Sequence, residues 1–174
     1  MKIFIINGSA SANSSNERLI GKIISLFGEN FNITVFNALK SLPHFAPDLS
    51  VQNTPSAILD LRKNIEQADA VIICTPEYVF SIPSGLKNAL EWCVSTTVFT
   101  DKPLGIITAS ANGEKGHEEL QLIMNTLSAR FFPETTLLIS GIKGKVNAEG
   151  AISDDKLKDD LKVFVSSFKE MLLS

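Results

Sequence analysis

Residues 3–16 read Ile3-Phe4-Ile5-Ile6-Asn7-Gly8-Ser9-Ala10-Ser11-Ala12-Asn13-Ser14-Ser15-Asn16, and Leu19, Ile20, Ile23, Ile24 and Phe27 follow at helical spacing. The unbroken apolar run 3–6 suits a strand covered on both faces, which belongs in a parallel sheet. Gly8 permits a tight exit from that strand. Between Gly8 and Asn16, four serines and two asparagines stand beside the unpaired N–H groups that open any helix. Amides, hydroxyls and the positive end of a helix together suit an anion, a phosphate above all. Two familiar phosphate loops are excluded, because no Gly-Lys-Ser/Thr closes this one and a single Gly cannot make G-x-G-x-x-G. No Lys or Arg lies between Gly8 and Asn16, so dipoles would meet the charge. The plainer reading is a polar turn with a helix cap at Ser14 or Ser15, but a cap needs one such residue rather than the whole set.

The same strand–loop–helix unit recurs along the chain. Apolar runs at 33–36, 71–74, 104–108 and 135–139 alternate with helical stripes. The stripes are Ile58, Leu61, Ile65 and Ala68; Leu86, Leu90 and Cys93 after Pro83; Leu120, Ile123, Met124, Leu127 and Phe131; and Leu157, Leu161, Phe164, Phe168 and Leu172. Alternation of β and α five times predicts an α/β fold: a doubly wound five-stranded parallel sheet of order 2-1-3-4-5, with helices on both faces. Residues 1–174 read as a single domain, without internal repeat or change of composition. In such sheets the ligand crevice lies beyond the carboxyl ends of the strands. The chemistry is therefore expected in the loops after Ile6, Cys74 and Thr108.

Composition narrows the partners. Sixteen Lys and Arg against nineteen Asp and Glu give a net charge of −3, so nothing favours a nucleic-acid backbone as partner. Cys74 and Cys93 are the only cysteines and form no C-x-x-C motif. The apolar run near the N-terminus is too short for a signal-peptide core or a membrane span, so a cytoplasmic protein, with no membrane partner, is expected. His44 and His117 have no partner at metal-ligand spacing and read as structural.

The second loop, residues 75–88, puts Tyr78, Val79, Phe80 and Ile82 between Pro76 and Pro83. Loops are normally solvated, so this apolar density calls for a cover: a flat aromatic ligand, another subunit, or the chain's own core. Glu77 is open to a role as general acid or to an ordinary ion pair. The third loop, 109–117, is rich in Gly and small residues and by itself would pass as any strand-to-helix turn. Residues 141–145, Gly-Ile-Lys-Gly-Lys, lack the spacing of a phosphate loop and read as a flexible turn. Asp154 and Lys158, four apart, are expected to pair on a solvated helix face.

These residues together resemble the NAD(P)H-dependent FMN reductases of the flavodoxin-like fold, the group that includes azo, quinone and chromate reductases. That family's first motif, G-S-x-R-x-x-S-x-N, is met by Gly8, Ser9, Ser14 and Asn16. Its second, P-E-Y-N-x-S-x-P-x-x-L-K-N-A-[IL]-[DE]-W, is met by Pro76, Glu77, Tyr78, Ser81, Pro83, Leu86, Lys87, Asn88, Ala89, Leu90, Glu91 and Trp92. Ser110, Gly113 and Gly116 resemble its third segment. The chain departs twice: the family's Arg is Ser11, which removes a fixed positive charge, and its Asn after Tyr is Val79.

The resemblance implies FMN as cofactor and NADPH or NADH as co-substrate. Ser9, Ser14 and Asn16, with Ser11 and Ser15 beside them, would hold the phosphate. Pro76, Glu77, Tyr78 and Val79 would run along the ring, and Ser110 would approach it. Arg18, one turn into the helix, is open to compensating for the missing Arg, though solvent exposure is the expected outcome. The implied reaction is ping-pong hydride transfer through flavin N5, with no catalytic side chain, to a small-molecule electron acceptor: a quinone, an azo compound, free flavin or a metal oxyanion. The alternative is a flavodoxin-type electron-transfer flavoprotein without nicotinamide turnover. The family also implies a homodimer or homotetramer, with Leu86, Leu90, Trp92 and Cys93 as candidates for the interface; Trp92 and Cys93 are equally open to a place in the chain's own core.

Overall fold

The computed structural model describes residues 1–147 and 149–173. Five strands, β1 (Lys2–Asn7), β2 (Asn32–Phe36), β3 (Ala70–Thr75), β4 (Leu104–Ser110) and β5 (Thr136–Ser140), form one sheet of order β2-β1-β3-β4-β5. Every pairing is parallel, with Ile3 opposite both Ile33 and Ala70, and Val71 opposite Leu104. Five α-helices alternate with the strands: α1 (Ser15–Phe27), α2 (Ser56–Gln67), α3 (Ser84–Glu91), α4 (Glu114–Thr126) and α5 (Asp155–Leu173). The order and alternation match the expectation, and the physical cause is the handedness of the crossovers.

Side chains alternate across each strand and feed two cores. Ile3, Ile5, Ile72 and Cys74 pack with α1 and α5, and Phe4, Ile6, Val71 and Ile73 pack with α2, α3 and α4. Continuous burial holds for the inner strands β1, β3 and β4 but not for β2 and β5, which lie at the edges and are only partly covered. Gly105 lets α5 press against β4, since a Cβ there would come within 2.8 Å of Phe164. Among the described residues no helix is long and apolar enough to cross a membrane.

Several local expectations are corrected. The helical stripe to Phe131 overruns its helix: α4 stops at Thr126, Ser128 turns the chain at φ 59°, and Phe131 joins the same core from outside the helix. Cys93 likewise follows α3 rather than belonging to it. Leu86, Leu90, Trp92 and Cys93, named for a subunit interface, are all buried in the chain's own core. The Trp92 Nε1 donates to Pro43 O at 2.9 Å, and its ring meets Phe45 edge-on. Asn88 binds the same loop through both ends of its amide, to Phe45 N and Pro43 O. The motif's Asn and Trp thus pin the Pro-rich segment 42–49 to α3. Burial pushes the Cys93 thiol up to about 12. Lys158 pairs with Asp155 rather than Asp154, whose carboxylate accepts from Leu157 N and caps α5.

Candidate functional site

Beyond the carboxyl ends of β1, β3 and β4 lies a cleft of about 990 Å³. Its walls include Ser9, Ser11, Ser14, Ser15, Asn16, Pro76, Tyr78 and Ser110, so eight of the ten residues singled out from sequence converge there. Glu77 and Val79 are not on its wall. A hollow of about 300 Å³, bordered by Lys40, His44 and Pro83, shares Ser9 and Tyr78 with it.

The loop 8–16 is anchored by a close backbone approach. Gly8 N donates to Cys74 O at 2.8 Å, and a Cβ on Gly8 would lie 2.3 Å from Thr75 Oγ1. Gly8 is therefore required by contact with β3, and its φ is not in the left-handed region. Ser14 is the N-cap of α1, its Oγ accepting from Glu17 N at 3.1 Å. The first-turn amides of Ser15 and Asn16 have no partner among the described residues, nor do the hydroxyls of Ser11 and Ser15. The Asn13 amide already holds an anionic oxygen, Glu17 Oε2, at 2.8 Å. Asn16 plays a double part. Its side chain is buried and committed, donating to Ala109 O at 3.0 Å and accepting from the Cys74 thiol, so only its backbone N–H remains for a ligand. Burial pushes the Cys74 thiol well above the ordinary range and keeps it protonated for that bond.

Residues 76–82 form a two-residue hairpin. Tyr78 N donates to Ser81 O at 2.9 Å and Ser81 N to Tyr78 O at 3.1 Å. Its tip, Val79 and Phe80, has φ of 52° and 60°, the primed-turn geometry that Asn-Gly normally supplies. A β-branched residue in that region is strained. Both tip side chains are exposed, Val79 by 93% and Phe80 by 73%, so neither the core nor the cleft covers them. Two carboxylates fasten the legs to α4. Glu77 Oε1 and Oε2 accept from Gly113 N at 3.2 Å and Gly116 N at 2.8 Å, capping α4 from another segment. Glu119 Oε2 accepts from Ser81 Oγ at 2.6 Å and Ile82 N at 3.0 Å. Glu77 is thus paired, and its partners are amides. Ser110 Oγ donates to Glu77 O at 3.3 Å, joining the second and third loops. One turn into α4, Thr108 Oγ1 and His117 Nδ1 lie 2.9 Å apart. Burial holds the His117 imidazole below its ordinary range, against a weaker raising effect of Glu118.

Two cations also line the wall. Arg18 is half-buried rather than solvated, and Lys143 comes from the short 3-10 turn Ile142–Gly144 after β5. That segment is an anchored platform, not a flexible turn. Gly141 N donates to Ala111 O at 3.0 Å, Ile142 and Val146 are buried, and Val146 bridges to Ile152. A Gly- and Lys-rich string is common in loops, and the sequence carries no signal of its placement beside residues 9–16.

The donor set fits FMN. The start of α1 offers amides and hydroxyls without internal partners, and the same loop already takes a carboxylate oxygen from Glu17. Pro76, Tyr78 and Ser110 add a rigid, mostly apolar border of the kind a flat ring needs.

The family described as NADPH-dependent FMN reductase matches residues 1–143. The NADH:(hydroxy)cinnamate reductase subunit CrdA of Vibrio ruber is 31% identical, over 99% of this chain and 89% of that protein. The NADPH:quinone oxidoreductase of Arabidopsis thaliana is 30% identical, over 99% and 92% of the two chains. The solved structure of FerB, a flavoenzyme NAD(P)H:(acceptor) oxidoreductase from Paracoccus denitrificans, superposes with a TM-score of 0.79 at 24% identity, over 98% of this chain and 96% of that one; this likeness establishes the fold.

Proposed function

The chain belongs to the NADPH-dependent FMN reductase family and is an oxidoreductase, and from that premise we propose that residues 1–174 are one FMN-binding domain passing two electrons from NAD(P)H to small acceptors in a ping-pong cycle. Quinones, azo compounds, free flavin and metal oxyanions are the acceptor classes, and a cytoplasmic homodimer or homotetramer is the expected setting. The observation that carries the reading is the unpaired donor set at the start of α1, opening into a cleft bordered by Pro76, Tyr78 and Ser110.

When bound, FMN supplies hydride acceptance and donation at its N5. The protein binds, orients and excludes. Ser11, Ser15 and the first amides of α1 hold the phosphate, with Ser9 and Ser14 lining the same end. The hairpin backbone and Ser110 set the plane in which a ring can lie. Glu77 fixes that plane through Gly113 and Gly116, and so acts as a positioning residue rather than as an acid. No side chain on the cleft wall is asked to move a proton. The neighbouring hollow at Ser9 and Tyr78 gives nicotinamide and acceptor a common approach, which favours their use of the site in turn.

The test is anaerobic. Purified protein should be yellow, bleach with NADPH or NADH, and recover colour when a quinone is added; initial rates at several quinone concentrations should give parallel double-reciprocal lines. Intersecting lines would remove the ping-pong claim. A yellow protein that no nicotinamide bleaches would be a flavodoxin-type carrier. Light scattering at the mass of one chain would remove the dimer.

A further inference from the structure

We propose that Arg18 and Lys143 together form a cationic clamp on the ligand phosphate, replacing the basic residue that the family carries where this chain has Ser11. The proposal rests on the FMN reading of the cleft and says how this chain meets the phosphate charge.

The need for such a clamp is visible in the first loop. No Lys or Arg lies between Gly8 and Asn16, and Glu17 places a carboxylate oxygen 2.8 Å from the Asn13 amide. A phosphate carrying roughly two negative charges at neutral pH would therefore meet dipoles on one side and a like charge on the other. Amides and hydroxyls orient it but leave its charge unbalanced.

Two elements distant in sequence supply the balance. Arg18 follows Glu17 on α1 and lines the cleft as a half-buried residue. It also borders a surface depression containing Glu149, yet no ion pair joins them, and no side-chain hydrogen bond holds Arg18 among the described residues. Lys143 reaches the same cleft from the platform after β5, and its ammonium too has no partner among the described residues. The platform is fastened at Gly141, Ile142 and Val146, so the backbone that carries the exposed Lys143 is held at the cleft edge. Two unpaired cations then match one dianion in formal charge.

The decisive comparison is FMN against riboflavin, which has the same ring and no phosphate. Each would be titrated into flavin-free full-length protein and followed by quenching of flavin fluorescence. Wild type should bind FMN more tightly than riboflavin. Arg18→Gln and Lys143→Gln should each weaken FMN about tenfold, and the double variant about a hundredfold, as expected for losing charge-assisted contacts one at a time. Riboflavin affinity and thermal midpoint should stay constant. Adding Ser11→Arg to the double variant should restore at least half the lost affinity on a logarithmic scale. Unchanged FMN affinity in the double variant, or riboflavin affinity falling in parallel, overturns the clamp and leaves the FMN reading standing. A wild type that binds neither flavin overturns both.

Discussion

The loop 9–16 and the hairpin 76–82 border one cleft, yet they treat their polar groups in opposite ways. At the start of α1, hydroxyls and amides are left without internal partners, and the side chain that is buried there, Asn16, is turned away to brace β3 against β4. Around the hairpin, the carboxylates are engaged inside the protein: Glu77, on its first leg, accepts from Gly113 and Gly116, and Glu119, on α4, accepts from Ser81 and Ile82. Among the described residues, one wall leaves donors without partners, while the other is held in shape by carboxylates. The contrast teaches that a motif residue of ionisable type need not do chemistry. The Glu in P-E-Y caps a helix that begins more than thirty residues later, and so sets where the backbone beside it lies.

The comparison can be broken most severely at the point where its two halves touch. Gly8→Ala would force a Cβ against Thr75 Oγ1, and unfolding in denaturant should show a loss of about 3 kcal/mol. An unchanged midpoint would mean that the strand exits can part without cost. Next, Glu77→Ala leaves two amides of α4 uncapped and should lower stability by about 2 kcal/mol while also weakening flavin binding, because shape and site are joined there. Ser15→Ala separates the two: flavin affinity should fall by about 1 kcal/mol in a fluorescence titration, with the thermal midpoint unmoved. A fall in stability as large as the fall in affinity would show that this wall, too, is structural. The smallest effect is a gain. Val79→Asn places at φ 52° a residue that tolerates the left-handed region, and should raise stability by about 0.5 kcal/mol with affinity unchanged.

How much of this could be read beforehand depends on the range of the interaction. The apolar runs of β1, β3 and β4 are legible because burial on both faces leaves no polar alternation, and their loops were correctly placed at one end of the sheet. The edge strands β2 and β5 show the limit, since partial exposure blurs the same signal. The Ser- and Asn-rich loop declared itself by composition. The fate of Asn16 did not, because its partner Ala109 lies 93 residues away. Trp92 is equally compatible in sequence with core and interface, and it is the Pro-rich segment folded over it that places it in the core. Residues 141–145 carry no local signal of their place, because Gly and Lys are common in idle turns, and only the pairing of β4 with β5 brings Lys143 to the cleft.

By itself the amino-acid order determined the alternating β/α architecture, the order of its strands and the end of the sheet at which the cleft opens, since periodicity, burial and crossover handedness act over short stretches of chain. The tertiary structure alone decided which polar groups are free and which are already paired, and which cations face the cleft. Those outcomes depend on atoms that approach within a few ångströms after being separated by tens of residues, and no local pattern records such distances.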